Sequence, residues 1–424
     1  MEQLLHYVWK HRLFPLKPLQ TTAGRPVEIL DVGIANCHAG PDFFNAKIKI
    51  DGVLWVGNVE LHVRASDWKR HGHAADPAYD SVILHVVSEA DRTVCRTDGT
   101  PVPQLVLPVP PRVLEGYRQL LQSDRYPPCC HILPELPRLV VHDWLASLRL
   151  ERLADKTGQL EQLAVAYSQD WEHVFFVSLA RSFGFGVNAD IFERWAKTIP
   201  LAALAKHRDR LVQIEAVFFG HAGLLQGAPA DAYMGQLQQE YAYLCHKFGL
   251  QPPTVGHWRF LRLRPNNFPH VRIAQLACLY HRGQGLLSQL LEADGLSQWQ
   301  ALLKGGTSDY WVTHYTFGPP TEARPKSLSR KAIDLLLINT VVPFLYAYGK
   351  WRLDESLCER AKALMEELKP EDNHIIRMWQ ECGLKVEHAG DSQALIQLKK
   401  NYCDLKKCLY CRFGYAYLKA ARQP

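Results

Sequence analysis

Gly40-Pro41-Asp42-Phe43-Phe44-Asn45-Ala46-Lys47-Ile48-Lys49-Ile50-Asp51-Gly52-Val53-Leu54-Trp55-Val56-Gly57-Asn58-Val59-Glu60-Leu61-His62-Val63 reads as two β-strands joined by a two-residue turn. Ala46, Ile48 and Ile50 alternate with Asn45, Lys47 and Lys49, the period of a strand with one apolar face. Asp51-Gly52 is a hairpin signal. On the returning strand Glu60 and His62 project from one face, while Val59, Leu61 and Val63 project from the other. With Asp42 opening the adjacent strand, two carboxylates and an imidazole can converge on one divalent cation and one water. The bland alternative is a Gly-Pro-Asp turn beside a solvated strand face carrying Glu60 and His62.

Outward from this hairpin, helix and strand signals alternate. Leu4, Leu5, Val8 and Trp9 share one face of a short opening helix. Val27 to Val32 is a strand ended by Gly33. Ser66-Asp67-Trp68 opens a His-rich, helix-like connection with Ser66 as its expected N-cap. Val82 to Val87 is nearly all apolar, the pattern of a strand covered on both faces. A further hairpin is expected over Thr93 to Leu107, turning at Asp98-Gly99. Prolines 108, 110, 111, 127 and 128 then mark an exit linker. From His142 the texture becomes helical, with stripes at Phe175, Leu179 and Phe183, at Ile214, Val217, Phe218, His221 and Leu225, and at Leu357, Ala361 and Leu364. Pro343 is expected to kink an apolar helix running from Ile333 to Leu345. The expected organisation is an α/β domain at 1–112, a linker at 113–141, an irregular helical domain at 142–372 and a cysteine-bearing tail at 373–424, an α+β chain overall.

The chain has 424 residues, 47% of them hydrophobic, enough for two or three domains with sizeable cores. Its 49 Lys+Arg against 43 Asp+Glu give a net charge of +6, which permits an acidic partner such as DNA or RNA without requiring one. The N-terminal run is too charged for a signal peptide. No stretch approaches about 18 uncharged apolar residues, so no membrane span is expected. Eleven cysteines in such a chain fit a reducing compartment, and a cytoplasmic location is expected. No Gly-rich phosphate loop and no serine nucleophile elbow is present.

The order helix, strand, strand, strand, helix, strand, with Pro41-Asp42 opening the second strand and Glu60-Leu61-His62 in the third, resembles the core of the PD-(D/E)XK nuclease superfamily. The resemblance covers about residues 1–107. It implies a restriction-endonuclease-like mixed sheet in which Asp42 and Glu60 hold Mg²⁺ or Mn²⁺ through hard oxygen ligands, leaving positions for water and a phosphate oxygen. The family places Lys where this chain has His62. An imidazole there can position or deprotonate the attacking water but is not a permanent cation. His85, Asp31, Asp67, His71 and His73 are further candidate ligands or supports. The function implied is phosphodiester hydrolysis in nucleic acid. The alternatives are an inactive nuclease-fold module that binds nucleic acid or a protein, and a metallohydrolase of a small phosphorylated metabolite.

Two other clusters stand out. Cys403, Cys408 and Cys411 have a C-x4-C-x2-C spacing that suits zinc or an iron–sulfur cluster. Cys382 is the fourth ligand nearest in sequence, and Cys129 or Cys130 are distant ones. Cys37, Cys95, Cys245, Cys278 and Cys358 read as packing residues. Arg259, Arg262, Arg264 and Arg272 are interleaved with Trp258, Phe260 and Phe268, a pattern that serves nucleic-acid contact, although the regular alternation of apolar residues favours a structural role in buried ion pairing or carbonyl capping. Lys399, Lys400, Lys406, Lys407, Arg412, Lys419 and Arg422 make the end of the chain basic.

Taken together, Gly40-Pro41-Asp42-Phe43, Gly57-Asn58-Val59-Glu60-Leu61-His62, Ser66-Asp67-Trp68, Tyr79 to Val87, Arg264-Pro265-Asn266-Asn267-Phe268-Pro269 and Cys408-Leu409-Tyr410-Cys411 are similar to an uncharacterised bacterial family of unknown function, of Bacteroidetes type. That resemblance spans nearly the whole chain and implies no activity.

Overall fold

The computed structural model describes residues 1–14, 17–36, 38–123, 126–253, 255–283 and 285–420. Cys37 and Arg422 lie outside the described residues. The chain forms two compact units. One contains residues 1–141, 382–384 and the C-terminal residues from Leu398; the other contains 142–381 and 385–397. The cysteine-bearing 373–424 segment is thus divided between them.

The first unit is a mixed sheet with helices. Helix α1 (Glu2–Lys10) precedes strands β1 (Leu19–Gln20), β2 (Pro26–Asp31), β3 (Ile34–Ala35), β4 (Phe43–Ile50) and β5 (Val53–Arg64). The short helix α2 (Asp67–Arg70) and two 3₁₀ turns lead to β6 (Val82–Glu89), followed by β7 (Gln104–Val106) and α3 (Pro111–Gln122). The strand order is β1-β2-β4-β5-β6-β7, with β3 also paired to β4. Strands β1, β2, β4 and β5 run antiparallel, while β6 lies parallel to β5 and β7 parallel to β6. A bridge from Thr21 to Leu105, with the Thr22 N–H 2.8 Å from Gln104 O, joins the two edges of the sheet. Closing the edges in this way removes unpaired backbone groups.

The β4–β5 turn has φ of 54° at Asp51 and 79° at Gly52, the left-handed pair of a type I′ hairpin, with Ile50 opposite Val53. One residue breaks the strict alternation. Register shifts between Phe43 and Ala46, where Asn45 adopts φ 55° and its N–H meets Asn58 Oδ1 at 3.2 Å. This bulge puts Phe43 and Ala46, three apart, both in the interior. Gly57 is obligatory, because a Cβ there would stand 2.4 Å from Ile83 Cγ2.

The 93–107 segment departs from expectation. Gly99 turns at φ 80° and Asp98 Oδ1 accepts from the Thr100 N–H, but the flanks share a single bridge, Cys95 to Pro101. The following residues join β6 in parallel instead of returning as a hairpin strand. Ser66 makes no side-chain cap; its N–H bonds Asp91 Oδ1, and Asp67 accepts from the Arg64 N–H.

The second unit is helical. Its core gathers Phe175, Leu179, Phe183, Ile214, Val217, Phe218, Leu225, Leu357, Ala361 and Leu364, the residues that the helical stripes select. The segment Arg330–Arg352 is long and apolar enough to cross a membrane by length and composition alone, but it carries charged residues and 72% of its apolar window is buried inside the protein. It is therefore a core helix of this unit. Its backbone passes through a π-turn at Leu337–Val341 immediately before Pro343, which relieves the hydrogen bond that proline cannot donate.

Candidate metal centre

Asp42 ends a loop held in shape by Asn36, whose Nδ2 donates to the carbonyls of His38, Ala39 and Pro41 at 3.0–3.2 Å. Its neighbour across the sheet is the inner half of β5. The Asp42 N–H donates to Glu60 Oε2 at 3.0 Å, and the Leu61 N–H donates to Asp42 Oδ2 at 2.9 Å. Each carboxylate is thus fixed by the other's strand. From α1, His6 Nε2 approaches Asp42 Oδ2 at 3.3 Å.

The second carboxylate oxygen faces imidazoles. Glu60 Oε1 lies 3.2 Å from His73 Nε2 and 3.6 Å from His62 Nε2. His62 Nε2 is also 3.1 Å from His71 Nδ1, and one nitrogen each of His62, His71 and His73 lie mutually within 4.8 Å. The opposite nitrogen, His62 Nδ1, meets His85 Nε2 at 2.9 Å. His85 is there because β6 pairs in parallel with β5, placing it beside Glu60. Tyr79 stacks on His73 with centroids 3.7 Å apart, and the Trp68 ring closes over His73 and His85.

Burial sets the protonation. Glu60 is 5% exposed and His62 1%, so the solvated strand face is not what forms. Burial first, then the neighbouring imidazoles, pulls His62 down to about 2. Burial likewise takes His85 down to about 3. Both rings are neutral at physiological pH, the form that donates a lone pair to a metal. Burial raises Asp42 and Glu60, opposed chiefly by His6 and His73 respectively. Tyr79 is pushed up to about 12, by burial and then by the two carboxylates.

The donor set fits a metal ion. Among the described residues, His6 Nε2, His73 Nε2 and His85 Nδ1 are buried without a partner in hydrogen-bonding geometry, although the first two face carboxylate oxygens. Bound water or an ion is the usual explanation for such groups. Three imidazoles with two carboxylates favour a transition ion over Mg²⁺. His62, His71, His73 and Glu60 would hold it, with Asp42 alongside and His85 orienting His62 through Nδ1.

Of the remaining candidates, Asp31 accepts from the Gly33 N–H at 3.0 Å on exposed β2, and Asp67 pairs with Arg70 at 3.0 Å. Asp31 stays apart from the cluster, whereas buried Asp67 lies close enough to His85 to act on its ring electrostatically. Trp68 and Tyr79, which lie in segments that carry the family resemblance, belong to the cluster as well, and so does His6, which has no sequence signal beyond its residue type. In the second unit Arg259, Arg262 and Arg264 are exposed. Arg272 is buried; it donates to Gln275 Oε1 at 2.8 Å and Asn267 Oδ1 at 2.5 Å and lies over the Phe185 ring. Both terminal nitrogens are thus engaged inside the unit, and the buried guanidinium, whose Nε has no hydrogen-bond partner, is not offered to a phosphate. Arg259 lines a groove of about 570 Å³ with Arg194, His257 and Trp258, but also with Asp190 and Glu193. Cys382, Cys403, Cys408 and Cys411 all fall in the first unit.

A family model described as a protein of unknown function, DUF2851, matches residues 2–374, and the chain belongs to that family. No curated protein and no solved structure matches it.

Proposed function

We propose that this DUF2851 protein is a metal-dependent hydrolase of phosphodiester bonds in nucleic acid, with its reaction centre at Asp42, Glu60 and the histidines of β5, β6 and the connection between them. The observation that carries this reading is the crossed pair of hydrogen bonds locking Asp42 to Glu60 beside buried imidazole nitrogens that lack a hydrogen-bonding partner. The order of strands resembles the PD-(D/E)XK core and supports it. The bound ion would lower the pKa of a water and offset charge on the phosphate.

The chain's own residues divide the remaining work. Glu60 and Asp42 supply negative charge in a site walled by Trp68 and Tyr79. His62, where the nuclease pattern has Lys, has neighbours on both ring nitrogens, so it positions and does not shuttle protons to bulk solvent. His71 is the exposed imidazole of the cluster and faces the water side.

The burial of Glu60 and His62 favours a second reading, a binding module in which the same centre is structural. Cleavage assays on single- and double-stranded DNA and RNA with Mg²⁺, Mn²⁺ and Zn²⁺ separate the two. Hydrolysis by the native chain that disappears in Asp42→Asn and Glu60→Gln supports the enzyme. Nucleic-acid binding without metal-dependent cleavage of any substrate supports the module.

A further inference from the structure

The nuclease reading leaves the cysteines unused, and they are gathered in a way the sequence spacing does not reveal. The C-terminal strap doubles back on the segment after α3. Tyr126 Oη donates to Asp404 Oδ1 at 2.7 Å, Lys406 Nζ to Leu121 O at 3.2 Å, and Tyr417 Oη to Gln119 Oε1 at 3.0 Å. The His131 and Tyr417 rings are 5.2 Å apart. The segment around Gln119 to His131 and the strap from Tyr402 to Tyr417 therefore pack together inside the first unit.

The strap is shaped to turn its thiols inward. A π-turn ends at Cys403, and Lys406 takes φ 52° to reverse the chain toward Cys408. Cys408 opens a 3₁₀ turn in which the Cys411 N–H donates to Cys408 O at 3.2 Å. The next helix, Arg412–Ala420, packs so closely on this turn that a Cβ at Gly414 would stand 2.1 Å from Cys408 O. A π-turn, a left-handed lysine and a glycine with no room for a Cβ are costly devices for residues that serve as mere filling. Cys129 and Cys411 are buried, Cys403 and Cys408 half-buried, and none of the four is joined in a disulfide.

Cys129 lies within electrostatic reach of the three strap thiols, and Cys403 within reach of Cys408 and Cys411; no three of these sulfurs stand mutually within 4.8 Å, so a cluster would span them as they are, whereas a zinc ion would draw them together. The Tyr126 hydroxyl, three residues before Cys129, reaches both Asp404 and Cys403, which brings the upstream segment against the thiols of the strap. Thiols crowded this way repel as thiolates unless a cation sits among them, and a metal deprotonates them outright.

We propose that Cys129, Cys403, Cys408 and Cys411 form a second metal centre, a four-thiolate site for a zinc ion or an iron–sulfur cluster that fastens the C-terminal strap to the segment after α3. Both occupants use the same ligand chemistry, and both need one ligand beyond the three of the strap. Cys129 supplies it from far upstream, with the whole helical unit lying between in sequence. The site stands independently of the nuclease reading.

The test uses the full chain, purified anaerobically without chelator, with metal and acid-labile sulfide measured alongside the visible spectrum. Expected is either about one thiolate-bound zinc per chain without colour, or iron with matching sulfide and a broad visible absorption. Cys129→Ser and Cys403→Ser should each lose that metal about tenfold or more, while Cys382→Ser keeps it. Because the serine variants can misfold, Co²⁺ is also loaded into the reduced native chain, where thiolate-to-cobalt charge transfer reports sulfur ligation separately from the histidine centre. Absence of both thiolate-bound metal and cobalt charge transfer in the native chain overturns the proposal. So does a disulfide among these four cysteines, or metal that survives Cys129→Ser but not Cys382→Ser.

Discussion

Glu60 and Glu215 are both buried carboxylates, 5% and 0% exposed, yet their surroundings differ in kind. Glu215, in the helical unit, accepts from Ser308 Oγ at 3.0 Å and Trp311 Nε1 at 3.2 Å, and from the Tyr233 hydroxyl. These neighbours are neutral donors, and each donor is used. Around Glu60 the neighbours are imidazoles, and in the same cluster several buried ring nitrogens lack a partner in hydrogen-bonding geometry. A satisfied buried acid is a packing device. One surrounded by unsatisfied lone-pair donors is arranged for something else to complete it. That difference, more than burial or shifted protonation, separates the candidate site from the core.

The largest effects should come from breaking the Glu60 side of this comparison. Glu60→Gln or His62→Ala removes a candidate ligand, and occupancy of the histidine centre should fall by more than the ~10–100-fold typical of lost supporting residues. Isothermal titration with Mn²⁺ or Zn²⁺ measures it. The thiolate-to-cobalt signal of the cysteine strap should be unchanged in both variants. Equal loss at both places would mean that the first unit had simply unfolded.

His85→Phe is a finer probe. It removes the ring nitrogen that meets His62 Nδ1 while keeping the bulk that packs against Trp68. Metal affinity should fall ~10–100-fold, with the ligand set intact. An affinity matching that of the native chain would show that His62 is oriented by its burial alone.

Much of the first unit is legible in the sequence because strands repeat every two residues and the Asp51-Gly52 turn fixes register. Those two facts suffice to bring Asp42, Glu60 and His62 together, and the nearly all-apolar run of β6 carries His85 beside them. Other features are not encoded locally. The bulge depends on Asn45 adopting a left-handed conformation that few residue types announce. His6 reaches Asp42 because α1 packs on β5, a tertiary event with no periodic signature. The closure of the sheet edges rests on the bridge from Thr21 to Leu105. Sequence distance is also a poor guide to ligands: nearness points to Cys382, whereas the thiol that feels the strap cysteines is Cys129. Arg272 illustrates the same limit in the helical unit, since composition alone does not separate an arginine for phosphate from one held by Asn267 and Gln275.

The Glu215 side of the comparison should respond in stability and not in metal binding. Burial pushes Glu215 from 4.5 up to about 7. Between those values the folded chain holds a proton that the unfolded chain has released. Its stabilising contribution is therefore complete below about 4.5 and is lost as pH rises through about 7. The change is on the order of 3 kcal/mol. Urea unfolding across this range should show Glu215→Gln with a flatter profile than the native chain. Metal content should be identical.

The smallest effect concerns the exposed arginines. If nucleic acid reaches the helical unit through Arg259, Arg262 and Arg264, each alanine substitution that leaves a phosphate unpaired should reduce the slope of log affinity against log salt by ~0.9 for duplex DNA. Affinity itself should change modestly, since each side chain is solvated before binding. Arg272→Ala is the necessary contrast. Its guanidinium is enclosed between Phe185, Asn267 and Gln275, and burial already lowers its pKa to about 10. Removing it should lower thermal stability while leaving the salt slope untouched. A reduced slope in the Arg272 variant with none in the other three would relocate the interaction to a face that only local unfolding exposes. Unchanged slopes in all four would remove this stretch from any nucleic-acid interface and leave the basic residues Lys400, Lys407 and Arg412 of the strap as the next surface to test.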